Sequence, residues 1–495
     1  MGIPFYYKTI ITKYPHVVER THPECTHLFI DFNSIIHQAA ASIAETEKTE
    51  ERIFNAIVND HLKTIVNALN PKQLVYLAID GLCPMAKMHQ QRKRRYMTVW
   101  RNKQLGLQEN WDTNCITPGT CFMNNLDDFL QNFIKTNNYT SWLLSGSKEE
   151  GEGEHKIFEY IANNLASASN SCHCPYNIII HGMDADLIML SMISMSRYPN
   201  CNITLIRDDT VVNIQALMHS LQEEYKISIE TYIVICVLFG NDFLPPLSYL
   251  KIKNNDIDKL AKYAAATTAT RLVVNSKLNL DAMRELLATL QVNEDNNMQE
   301  ACDIYYSSKA GNPKFMSPEE RLNVYPLFNK FQNIITPLND PTWRLTYYLV
   351  LFPSRTSIAD ICENYIHGLF WVVDYYFNYK NSSKTWFYKY NFSPTVLDLC
   401  NNLSVTQILG SPEQDTVIHK SLKGNSDLQL LMVLPPSSVK LLQSEKARKI
   451  MTDVNQCCSH YYPTEFEIVT FLKQYLWECI PILPDIDIKS ISLKL

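Results

Sequence analysis

QLVYLAIDGLCPMAKMHQQRKRR, residues 73–95, runs from an apolar stretch into a basic one through a single carboxylate, Asp80. LVYLAID has the density of branched and aromatic residues expected of a strand buried on both faces. From Pro84 to Gly106 there is no internal Gly or Pro, which predicts one long helix. Strand, turn and helix in that order are one unit of an α/β fold. Similar apolar runs end in or near acids at HLFID (27–31), NIIIHGMDAD (177–186) and VICVLFGND (234–242), and each reads as a strand. SWLLSG (141–146) and NITLIRD (202–208) add further strands. Helical stretches are expected from Ile35 to about Glu45, from about Glu51 to Leu69, from near Glu154 and through NIQALMHSLQEEY. This alternation predicts an α/β domain over residues 1–250, with a mostly parallel central sheet and helices on both faces. Residues 251–340 read as helical and polar, and those from Pro341 onward as helical and aromatic-rich. Residues 251–495 are therefore expected to form a largely helical second region packed on the first.

Carboxylates at the carboxyl ends of parallel strands converge on one crevice of an open sheet. The candidates are Asp31, Asp80, Asp184, Asp186 and Asp242, joined by Glu152 and Glu154 in the loop EEGEGEHK. Each has a bland reading: Asp31 and Asp184 as helix N-caps, Asp80 and Asp242 in turns, the Glu pair at a solvated helix start. Their joint occurrence favours one metal site, because so many close carboxylates need cations. Oxygen-only donors select Mg²⁺ or Mn²⁺.

No Asp or Glu occurs from Gly81 to Gln108, although the chain as a whole carries a net charge of −6. Lys87, Gln91, Arg94 and Arg95 share one helix face. A solvated face normally mixes signs, so this one reads as a phosphate clamp beside the acids. Phosphodiester chemistry follows. His37, six residues after Asp31, and Trp371 are each either core residues or base-stacking platforms.

The length of 495 residues allows two domains. Fourteen Cys without paired zinc-site spacing, Cys172–His173–Cys174 and Cys457–Cys458 included, predict free thiols in a reducing compartment. No run is long enough to span a bilayer and MGIPFYYKTI lacks a secretory core, so a soluble intracellular protein is expected.

With these motifs in hand, the chain resembles the 5′→3′ exoribonuclease (XRN) family. MGIP, DFNSIIH, AIDGLCPMAKMHQQRKRRY, ITPGTCFM, GEGEHKIFEYI, HGMDADLIML and FGNDFLPP occur in that family's order. TWRLTYYLVLF, YIHGLFWVVDYYF, LQLLMVLPPSSVKLL, YYPTEFEI and YLWECIPILPDID continue it over nearly the whole chain. The resemblance implies a PIN/flap-endonuclease-like nuclease domain whose seven metal-site carboxylates, and catalytic residues, are the acids named above. It places a 5′-phosphate pocket at Lys87, Gln91, Arg94 and Arg95, and base stacking at His37 and Trp371. Gly2, Pro4 and Tyr7 would close one end of the site. Departures are Phe5 for a usual Lys, Glu150 for a Pro, Met85 for a basic residue, and the missing long carboxy-terminal extensions.

The expected activity is processive hydrolysis of single-stranded 5′-monophosphorylated RNA to nucleoside 5′-monophosphates in RNA decay, with two Mg²⁺ and Mn²⁺ as the substitute. A monomer is expected, cytoplasmic or else nuclear, with decapping or RNA-processing partners left open. The compact form and its Asn, Ile and Lys usage point weakly to a viral source. Rival readings are a flap-type DNA nuclease and a catalytically silent RNA-binding scaffold.

Overall fold

The computed structural model describes residues 2–3, 5–107, 111–137, 141–165, 176–252, 255–267, 271–332, 335, 340–378, 382–403, 412–453 and 458–495. Pro4 and the run Cys172–His173–Cys174 lie outside them. A seven-stranded sheet is built from β1 (Val18–Glu19), β2 (His27–Asp31), β3 (Leu74–Ala78), β4 (Ser141–Ser145), β5 (Tyr176–His181), β6 (Cys201–Arg207) and β7 (Thr210–Asn213). The strand order is β1-β7-β6-β5-β2-β3-β4. The five strands from β6 to β4 in that order are mutually parallel. A tight β6–β7 hairpin and the short β1 make one edge antiparallel. The chain moves outward one way through β3 and β4, then the other way from β5, so the order reverses between β2 and β5. A crevice opens at such a reversal, beyond the carboxyl ends of the strands.

Alternation along the strands divides the core. Phe29, Tyr76, Ile178 and Ile180 face one cluster with the helices Gly153–Tyr160 and Asp186–Arg197. Leu28, Ile30, Val75, Leu77 and Ile179 face the other, with the helices Asn33–Ser42 and Cys121–Thr136. Burial on both faces explains why these strands read as unbroken apolar runs. Each fully buried Ile or Leu contributes roughly 1.5–3 kcal/mol.

One strand expectation is overturned. VICVLFGND does not extend as a strand; it continues the helix Ile229–Val237, whose residues from Thr231 to Val237 are all buried. A helix buried all round has no polar stripe, so its short apolar run cannot be told from a core strand by periodicity.

The first core cluster runs without a break into residues beyond 250. It includes Trp343, Tyr365 and Leu369 as well as Ile233 and Val237. The helix Ile358–Phe377 packs on Ile229–Val237, which sets its last turns over the acid-bearing end of the sheet. The basic stretch forms a 21-residue helix, Met85–Leu105, ended by Gly106 in the left-handed conformation (φ 64°). Several of its cations are engaged by the carboxy-terminal part. Arg92 donates to the carbonyls of Pro484 and Tyr461, and Lys93 donates to Asn391 at 2.9 Å. No helix among the described residues is long and apolar enough to cross a membrane.

Candidate functional site

Four adjacent parallel strands deliver six of the acids. Asp31 is the last residue of β2, and Asp80 follows β3 by two residues. Glu152 and Glu154 come after β4, the first capping and the second opening the helix Gly153–Tyr160. Asp184 follows β5, and Asp186 begins the next helix. Asp242 arrives from the loop after Ile229–Val237, where the Asn241 side chain accepts from the backbone N–H of Phe243 and Leu244, both at 2.9 Å. Asp31, Glu152, Glu154 and Asp186 are buried, and the other three are half-buried.

Close packing shows in two contacts. The backbone N–H of Gly153 donates to Asp80 Oδ1 at 2.7 Å. A Cβ at Gly153 would lie 2.8 Å from Asp31 Oδ1 and 2.9 Å from the Ala78 carbonyl, so the backbone passes between the two Asp without room for a side chain. Gly153→Ala is expected to cost roughly 1–3 kcal/mol of stability and to lower activity with it. An unchanged thermal midpoint would refute this close-approach reading.

The acids shift one another's protonation equilibria. Burial, then Asp184 and Asp80, push the Asp31 carboxyl well above the usual range. Burial and Glu152 raise both Asp80 and Glu154. Asp186 is pushed up to about 7 by burial and by Asp242. For Asp242 burial acts upward as well, yet Lys87 draws it below the ordinary value; Asp184 is also held low, against its burial, with Lys87 contributing. Lys87 is buried among the acids, its Nζ 2.5 Å from Glu152 Oε2 and 2.9 Å from Asp242 Oδ2. One lysine does not satisfy seven carboxylates: the raised values of Asp31, Asp80, Glu154 and Asp186 mean that the set ionises fully only when further positive charge is supplied. The donors are oxygens, apart from the neighbouring His155, whose ring lies with Glu152 and Glu154 so that ligand atoms of the three sit within 4.8 Å. Such a set fits hard divalent cations.

The four residues expected to grip phosphate divide between two environments. Lys87, Gln91 and Arg95 are buried, whereas Arg94 is exposed and lines a cavity of about 1080 Å³ that also touches Asp242 and Gly2. Arg95 donates to Thr117 Oγ1 at 2.9 Å, while its Nη1 is buried without a hydrogen-bond partner. Burial, then Arg94, lower its pKa to about 9. A buried guanidinium with an unsatisfied donor is suited to an anion. His37 is exposed on the helix that leaves Asp31. Trp371 is 5% exposed, stacked on Tyr375 at 4.7 Å and on Trp386 at 5.1 Å, with Nε1 donating to the Ser383 carbonyl at 2.7 Å. Gly2 lies against the acids: a Cβ there would be 2.2 Å from Asp186 Oδ1. Tyr7 lines the same cavity as Gly2, beneath the Arg207 guanidinium at 4.2 Å.

Three supporting residues escaped the sequence reading. Asn33 donates to Asp80 Oδ2 at 2.9 Å and accepts from the Asp80 N–H at 3.0 Å, fixing that carboxylate. Tyr375 donates to Glu152 Oε1 from 223 residues away. Lys156 sends its ammonium to the carbonyls of Ile79 (2.6 Å) and Gly146 (2.8 Å), clasping the turns after β3 and β4. Asn33, two residues from Asp31, and Lys156, two residues from Glu154, had a local signal; Tyr375 had none.

A family model described as "XRN 5'-3' exonuclease N-terminus" matches residues 1–209. A second, "Xrn1 helical domain", matches 223–318 and 336–494. The human protein named 5'-3' exoribonuclease 1 is 27% identical over 594 residues, covering 99% of this chain and 34% of its own length. The protein of that name from Saccharomyces cerevisiae is 24% identical over 671 residues, covering 99% and 43%. The chain thus spans between a third and a half of these relatives. Among solved structures, the catalytic core of Rad2 in complex with DNA covers 84% of this chain and 98% of its own, at 13% identity and a TM-score of 0.37, too low to bear on fold or substrate. With both family models matched along nearly its full length, the chain belongs to the XRN 5′→3′ exonuclease family.

Proposed function

We propose that this chain is a 5′→3′ exoribonuclease that removes nucleoside 5′-monophosphates one at a time from single-stranded RNA bearing a 5′-monophosphate. The observation that carries the reading is the buried Lys87 paired with Glu152 and Asp242 among carboxylates that shift one another's protonation, with the buried, half-satisfied Arg95 about two turns further along the same helix. The relatives' names and the family membership support it.

Asp31, Asp80, Glu152, Glu154, Asp184, Asp186 and Asp242 would hold two Mg²⁺ or Mn²⁺. Such ions, when bound, lower the pKa of the attacking water and stabilise the leaving 3′ oxygen. The chain's own residues do the rest. Lys87, Gln91, Arg94 and Arg95 seat the terminal phosphate, so that the first phosphodiester lies over the acids and each step removes one nucleotide. Asn33, Gly153 and Tyr375 hold Asp80 and Glu152 in orientation, so little reorganisation is needed as charge develops. His37 offers its exposed ring to a base; for Trp371 to do so, its two ring neighbours must leave a face accessible. Residues 1–250 act as the nuclease domain and 251–495 as the region that completes the site, in a monomer acting on cytoplasmic or nuclear RNA.

Arg94→Ala is expected to lower kcat/KM for 5′-monophosphorylated RNA by about 10- to 150-fold, the loss of a charged hydrogen bond worth roughly 1.5–3 kcal/mol. Cleavage of 5′-hydroxyl RNA should hardly change. A preference that survives the substitution rules out the clamp. RNA with a 5′ monophosphate, triphosphate or cap, and a flap DNA, each assayed with and without Mg²⁺, separates this reading from a DNA nuclease and from a silent scaffold. Mononucleotide release from the monophosphate RNA alone is the expected result.

A further inference from the structure

The cavity that touches Asp242 and Gly2 runs outward past the basic helix to Trp477, which is 49% exposed. Its walls carry seven Lys or Arg and four Asp or Glu, an excess of positive charge in a chain that is negative overall. Trp477 is firmly mounted. It sits in a single turn, Leu476–Glu478, where Leu476 is buried and Glu478 accepts from the N–H groups of Gln474 (2.9 Å) and Tyr475 (3.0 Å). Tyr475 lies parallel to it at 6.1 Å and 9°, and Phe5 meets it edge-on at 5.3 Å and 62°. Lys8 and Lys473 line the same cavity. An exposed aromatic ring fixed on a rigid turn, with flexible cations beside it, is what sequence-tolerant stacking of a single strand requires.

We propose that Trp477 is a base-stacking platform for the RNA strand on the 3′ side of the bond being cleaved. The assignment rests on the reading of this chain as a nuclease. Polarity selects the occupant. Of the four residues that would take the 5′ phosphate, Lys87, Gln91 and Arg95 are buried and do not line the cavity, while Arg94 lines it together with Asp242. A strand whose terminal phosphate is seated by those four residues would pass Asp242 and continue along this cavity, with Arg94 in its wall. A released mononucleotide gains nothing from a second stacking site, while a strand held between steps stays associated.

The test compares Trp477→Ala and Trp477→Phe with the unaltered protein. Binding of a 5′-monophosphorylated RNA of about ten nucleotides is measured in EDTA, where no hydrolysis occurs. The ratio of kcat/KM on that RNA to kcat/KM on a 5′-monophosphorylated dinucleotide is measured with Mg²⁺. Trp477→Ala should weaken binding by roughly 5- to 150-fold, the range for loss of one base–aromatic stack, and lower the ratio similarly. Trp477→Phe should recover most of both. Binding within twofold of the unaltered protein, or a ratio that does not move because both substrates lose equally, overturns the platform. If the unaltered protein hydrolyses neither substrate, the nuclease reading fails, and the binding comparison in EDTA still decides whether Trp477 contacts RNA.

Discussion

Asp186→Asn should reduce Mg²⁺-dependent hydrolysis by at least ~10³-fold, about 4 kcal/mol of transition-state stabilisation, while making the metal-free protein more stable. The side chain is buried and held at a pKa of about 7, first by burial and then by the charge of Asp242. Its unfolded value is about 3.9. Between those two values the folded chain binds more protons than the unfolded chain, so this group's contribution to stability falls as pH rises through the window. Below it the carboxyl is neutral in both states and the penalty vanishes. Asn has the same shape and no charge. The difference in thermal midpoint between variant and parent, both without metal, should therefore be small near pH ~4 and grow up to about pH 7. Mg²⁺ should raise the midpoint of the parent more than that of the variant, by preferential binding to the folded state. Full turnover in the variant would end the assignment of Asp186 to the metal site.

Lys87→Met should be the most destabilising single change at the site, costing roughly 3–5 kcal/mol, because it leaves buried carboxylates without their cation. Lys87 touches Glu152 at 2.5 Å and Asp242 at 2.9 Å. Burial works against its charge, but Asp242 and Glu152 prevail and raise its pKa well above the ordinary value. A raised lysine contributes fully below its unfolded pKa and loses its effect only as pH passes the higher folded value. The loss should therefore be constant between pH ~6 and ~8, unlike the Asp186 effect. Activity on 5′-monophosphorylated RNA should fall with it, and Mg²⁺ should restore part of the stability by supplying positive charge to the same carboxylates. A denaturation midpoint equal to the parent's would show that the Lys87 pairs contribute nothing.

Much of the α/β half was legible because its strands are buried on both faces and its acids sit where those strands end. β2, β3 and β5 read directly from HLFID, LVYLAID and NIIIH. The basic helix was bounded by Pro84 and by Gly106, and both ends stand where the sequence placed them. The strands β1, at one edge, and its neighbour β7, two and four residues long, were too short to carry a period. The helix Ile229–Val237 was misread because burial on every side removes the polar stripe that separates helix from strand.

The sequence by itself determined the chemistry: carboxylates at strand ends, a cation-rich helix without acids, and the apolar runs that make a parallel sheet. Those are properties of residue types and short-range spacing, so they can be read locally. Only the tertiary structure decided which cation serves which anion. Lys87 finds Asp242 155 residues away, Tyr375 finds Glu152 at 223, and Arg92 spends its donors on carbonyls of Tyr461 and Pro484. Cations on one helix, Lys87 and Arg92, thus receive different tasks. The physical reason is that charge pairing depends on distance and burial in space, and neither is set until the helix Ile358–Phe377 and the carboxy-terminal turns close over the sheet.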